Sequence, residues 1–80
     1  MNIHTAVTER ILQLCRERDI SINKLCTLSG ITQSTINNIV SGRNHSTTIS
    51  TIKKLCDGLE ITLGEFFSTP EFDALEQELH

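Results

Sequence analysis

The stretch SINKLCTLSGITQSTINNIVSG, residues 21–42, constrains the fold more than any other part of the chain. Gly30 divides it into two segments of about eight residues, each with apolar side chains at helical spacing. Ser21 is placed to cap the first segment, which carries Leu25, Cys26 and Leu28 and stops at Gly30. Thr32 is placed to cap the second, whose inward residues are Ile36, Ile39 and Val40 and which stops at Gly42. Glycine suits a turn with positive φ, which costs a residue with a side chain more. Cys26, small for its position, lets the two helices cross closely, and Ile31 and Ile36 fill the angle between them. Thr32, Gln33, Ser34, Asn37 and Asn38 are then left facing outward. Two asparagines in succession on a helix need a reason, because Asn is a poor helix former.

The remaining segments are helical as well. The first helix is predicted over about Thr5 to Arg18, with Val7, Ile11, Leu14 and Cys15 on one stripe. After the loop RNHSTT (43–48), Thr47 or Thr48 caps a fourth helix carrying Ile49, Ile52, Leu55, Cys56 and Leu59. Thr62 and Glu65 have the spacing of a capping box ahead of Phe66 and Phe67, which predicts a short fifth helix. Pro70 ends it or begins a further one, in which Phe72, Leu75 and Leu79 share a face of an acidic segment. No alternating strand pattern occurs, so the fold class is all-α, with five helices and an extra C-terminal helix.

Eighty residues suffice for one domain without a separate sensor or catalytic unit, and bury roughly 60–65% of the unfolded surface. No apolar run is long enough to span a membrane, and the N-terminus meets charges too early for a signal peptide. A cytoplasmic location is expected. Cys15, Cys26 and Cys56 are odd in number and lack a CxxC pair, which speaks against a disulfide framework and a zinc site. Each falls where an apolar residue is expected, so three buried, reduced thiols are predicted, a redox switch being the alternative. His4, His45 and His80 lie in termini and a loop with no acid spaced to form a dyad or metal site. No catalytic residue, metal, cofactor or small-molecule effector is therefore expected.

The net charge of −3 looks wrong for a nucleic-acid binder until its distribution is followed. Residues 20–56 carry Lys24, Arg43, Lys53 and Lys54 and no acid, whereas residues 57–80 carry acids only. Such a polarised chain can bring one side to phosphate and keep the other away.

Two short helices around a glycine turn are the plan of a helix-turn-helix, here about residues 21–41. From about Arg10 to Phe67 the sequence resembles the Cro/CI-type (phage-repressor-like, or XRE) helix-turn-helix family. The resemblance is carried by ILQLCRERDISINKLCTLSGITQSTINNIVSGRN and TISTIKKLCDGLEITLGEFF. It implies a five-helix, lambda-repressor-like DNA-binding domain over residues 1–69, followed by an acidic helix or tail over 70–80. It also implies that the third helix enters the DNA major groove. Gln33 then matches the main base reader, with Ser34 beside it and Asn38 one turn on; Asn37 is a further candidate on that side. Thr35 matches a phosphate contact, with Thr32, Lys24, Arg43, Asn44 and His45 as other backbone contacts. An amide can pair in bidentate fashion with adenine N6 and N7, which discriminates by ~1–3 kcal/mol.

The resemblance implies a sequence-specific transcriptional regulator, most simply a repressor, bound as a homodimer to an inverted-repeat operator in double-stranded DNA on the nucleoid. Phe66, Phe67, Phe72, Leu75 and Leu79 are the expected dimer surface, unless the last helix folds back on its own core. The alternative is an antitoxin or protein-interaction adaptor on the same fold, with residues 66–80 holding the partner. Three departures from the family stand out. Ile22 replaces a glutamine that often supports the recognition helix, Cys15 and Val40 replace an arginine–glutamate pair, and the loop after the third helix is only modestly basic. Losing both charged partners together leaves no unpaired buried charge.

Overall fold

The computed structural model describes residues 2–41 and 47–75, which form six helices and no strand. They are α1 (Ile3–Glu17), α2 (Ile22–Ser29), α3 (Gln33–Val40), α4 (Ile49–Leu59), α5 (Leu63–Phe67) and α6 (Pro70–Asp73). Short polar side chains begin five of them. Asn2, Ser21, Thr32 and Thr48 each accept a hydrogen bond from the backbone N–H three residues on, at 2.9–3.2 Å. Asn2 explains why α1 starts two residues earlier than its apolar stripe suggests. The Thr62–Glu65 capping box is closed in both directions at 3.0 Å.

One core unites α1 to α5. Ile11, Leu25, Ile36, Ile39, Leu55, Cys56 and Phe66 are its fully buried side chains. Helix α2 packs chiefly on α4, and the two backbones come close where Gly58 faces Leu28 and Ser29. Helix α1 packs on α3 and also touches α6. It also holds α5 by a polar contact: Arg10 donates to the carbonyls of Phe66 and Glu65, each at 2.7 Å. Carbonyls in the last turn of a helix lack intrahelical donors; Glu65 also accepts from the Ser68 N–H at 3.4 Å, and Arg10 adds a cap from another helix.

Some sequence expectations change. Leu28 and Ile49 stay exposed although each sits at helical spacing with buried neighbours. At Leu28 the close approach of α4 is to the backbone, which leaves the side chain outside. Cys26 is half-buried, while Cys15 and Cys56 are buried; all three are free thiols. Pro70 begins a helix, and α6 is a single turn. Phe66 is buried in the monomer core with 0% exposure, so it is no part of a dimer surface. Phe67 and Phe72 are half-buried and pack around it, with ring centroids 4.9 Å apart for Phe66–Phe67 and 5.0 Å for Phe67–Phe72. Leu75 is half-buried just beyond α6, and Leu79 lies outside the described residues.

Candidate nucleic-acid interface

Helix α3 is held from three directions. Its inward side chains Ile36 and Ile39 are 0% and 1% exposed, with Val40 half-buried beside the same core. The turn before it is fixed by Gly30 at φ +69°, and the N–H groups of Gly30 and Ile31 both donate to the Cys26 carbonyl, at 3.0 and 3.3 Å. Its far end is tied to α1, where the Thr8 hydroxyl donates to the Ile39 carbonyl at 3.0 Å. That bond joins the two helices between which the expected ion pair is missing. Cys15 is buried and Val40 half-buried, so neither leaves a charge to satisfy.

This anchoring turns the polar residues outward. Gln33, Ser34 and Asn37 are exposed, and Thr35 and Asn38 are half-buried. Thr32 is the exposed N-cap of α3, and its hydroxyl and that of Thr35 lie 2.9 Å apart. Gln33 Nε2 donates to Oδ1 of Asn23, which stands exposed in the first turn of α2. Sequence periodicity did not single out Asn23, because it relates residues along one helix and this contact joins two. Ile22 turns inward and packs against the core, so the polar role expected of that position is not available to it.

The described basic side chains of α2 and α4 are Lys24, Lys53 and Lys54. Lys24 is exposed on α2, although its own N–H is taken by the Ser21 cap. On α4, Lys53 pairs with Asp57 and Lys54 is exposed. Arg43, Asn44 and His45 lie outside the described residues. Among the described residues no group of three or more His, Cys, Asp or Glu side chains is placed to hold a metal ion. Nor, among them, is any helix long and apolar enough to cross a membrane.

A family model described as a Cro/C1-type HTH DNA-binding domain matches residues 10–71. The chain belongs to that family. The match runs from the middle of α1 into α6 and so includes the whole unit formed by α2, its turn and α3. The crystal structure of the prophage Lp1 protein 11 resembles this Cro/C1-type domain with a TM-score of 0.82. The two sequences are 34% identical, and the alignment covers 94% of this chain and 100% of that one. No curated protein matches the sequence.

Proposed function

We propose that this Cro/C1-type domain is a sequence-specific transcriptional regulator, a repressor that occludes a promoter. One observation carries the reading most: Gln33, Ser34 and Asn37 are exposed on a helix whose opposite side is locked into the core. Rigid placement suits base readout, since hydrogen bonds to base edges demand geometry that a mobile side chain does not hold. With α3 in the major groove, Gln33, Ser34, Asn37 and Asn38 read bases. Thr32, Thr35 and Lys24 meet the phosphate backbone, together with Arg43, Asn44 and His45, which follow α3 in the sequence.

One such unit reads too few base pairs to select a genomic site, so the protein acts as a homodimer on an inverted repeat. Half-sites then lie about one helical turn, ~34 Å, apart. The parts of Phe67, Phe72 and Leu75 left uncovered by the monomer, with Leu79 beyond them, form the contact between copies. The acidic residues after Cys56 keep that end away from DNA. The protein works in the cytoplasm, on the nucleoid.

Selection of random-sequence duplex DNA by the purified protein near physiological salt tests the reading. An enriched inverted repeat is expected, and Gln33→Ala should relax preference at one position in each half-site. A soluble, helical protein that enriches no sequence would sink the proposal and turn attention to a protein partner.

A further inference from the structure

Two side chains of α1 reach carbonyls of other helices. Arg10 donates from Nε to Phe66 and from Nη2 to Glu65 on α5, each at 2.7 Å, and from Nη1 to Gln13 Oε1 at 3.0 Å. Two residues earlier, the Thr8 hydroxyl donates to Ile39 on α3 at 3.0 Å. Residues two apart on an α-helix are turned about 200° from one another, so Thr8 and Arg10 leave α1 on nearly opposite sides. Helix α1 thus stands between α3 and α5 as a strut of 15 residues. We infer that Arg10 is a positioning residue that sets the spacing of the two half-sites, by fixing the angle at which α5 and the rings beside it face the second copy. The inference rests on the homodimer and the reading helix proposed above.

Helix α5 has five residues, too few to hold a direction by itself. Phe66 is its one fully buried side chain. A single buried ring fixes a position but leaves rotation about it open. The planar fork of Arg10, with donors on two successive carbonyls, removes that freedom. Phe67 and Phe72 pack on Phe66, so the proposed contact between copies takes its bearing from the same point. Leverage makes a small error large. Each α3 lies ~17 Å from the two-fold axis, half the ~34 Å between half-sites. A tilt of about 10° at the contact moves it by roughly 3 Å, about one base-pair step. Apolar burial between the copies is non-directional and tolerates such a tilt, so dimer formation and spacing are separable properties.

The test uses duplexes carrying the half-sites that the wild type selects, set at the selected spacing or a few base pairs closer or further apart. Wild type, Arg10→Met, Arg10→Lys and Ile52→Val are compared, with thermal melts and sedimentation alongside. Ile52→Val opens a small gap in the core and lowers stability without touching Arg10. The wild type should bind one spacing about tenfold or more tighter than its neighbours, since a mis-spaced site must deform or forgo contacts. Arg10→Met keeps the apolar stem and removes the donors. It should remain a dimer and cut the preference to about threefold or less, because the copies then tilt to fit, with base preference inside each half-site unchanged. Arg10→Lys, which satisfies one carbonyl at a time, should fall between, and it decides the question if Arg10→Met does not fold. Ile52→Val should keep the wild-type preference. An unaltered spacing preference in the folded Arg10 variants overturns the inference and leaves the dimeric reader standing. So does an equal loss of preference in Ile52→Val. A wild type that binds as a monomer, or is indifferent to spacing, removes the dimer reading and the inference with it.

Discussion

Gly58→Ala should destabilise the protein, although helix propensity alone says the opposite. Gly58 lies inside α4, where replacing glycine by alanine ordinarily gains about 1 kcal/mol. Here a Cβ would sit 2.9 Å from the carbonyl carbon and oxygen of Leu28 and from the Cα of Ser29. Carbon atoms pack at about 3.5–4.0 Å, so α2 and α4 would have to separate by roughly half an ångström or more. The obstructing atoms are all backbone and have no rotamer to change. Overpacking of this kind costs about 1–3 kcal/mol, and the rigidity of the neighbours places this site in the upper part of that range. The net loss is then about 1–2 kcal/mol. For a domain of this size that lowers the melting temperature by roughly 5–15 °C.

Circular dichroism at 222 nm during thermal and urea unfolding, at one fixed protein concentration, measures the effect. Gly64→Ala is the matched comparison: a Cβ there meets only the Thr62 hydroxyl oxygen at 3.7 Å, an ordinary contact. It should leave stability unchanged or raise it by up to about 1 kcal/mol. If Gly58→Ala melted at or above the wild-type temperature, the close α2–α4 crossing would be wrong, and with it the seat of the turn that leads into α3.

Phe66→Ala should cost about 3–5 kcal/mol, a large part of a small domain's stability, because it empties the centre of the core; a folded protein that merely lost self-association would contradict the burial of this ring. Thiol labelling of the native protein near pH 7 should modify Cys26 first. Burial pushes the Cys15 and Cys56 thiols up, against the opposing pull of Arg18 on the one and Lys53 on the other, and both are shielded. Equal labelling rates at the three sites, read by mass spectrometry, would contradict this. Thr8→Val, which keeps the shape and removes the hydroxyl, should cost about 1–2 kcal/mol by leaving the Ile39 carbonyl short of a partner. It should weaken binding to all DNA sequences alike, whereas an altered base preference would show that Thr8 does more than hold the end of α3.

The features legible in the sequence are those set within a few residues. Ser21, Thr32 and the Thr62–Glu65 pair each act on a backbone group three positions away, and Gly30 answers a local demand for positive φ. The buried stripe of each helix follows from its 3.6-residue period. Leu28 and Ile49 mark where that rule ends, since periodicity assigns a side but not whether a neighbour covers it. The exclusion of Phe66 from any partner surface was hidden for a related reason. Apolar area beyond α4 looks like surplus until Arg10 and α1 are seen to hold α5 against the core.

Helix α3 shows why such contacts between helices matter most. An isolated eight-residue helix is marginal in water, and the consecutive asparagines of α3 make it poorer still. Its outward face therefore depends on its attachments, Ile36 and Ile39 below and the Thr8 hydroxyl at one end. Of these, the two isoleucines alone are announced by the pattern within α3. Thr8 lies 31 residues from the carbonyl it holds, and Asn23 lies ten from the amide it meets. Residues outside α3 thus help decide how its outward side chains are presented. Substitutions there separate into those that loosen the whole helix and those that release a single side chain, a distinction drawn by affinity measured across many sequences and not by affinity for one.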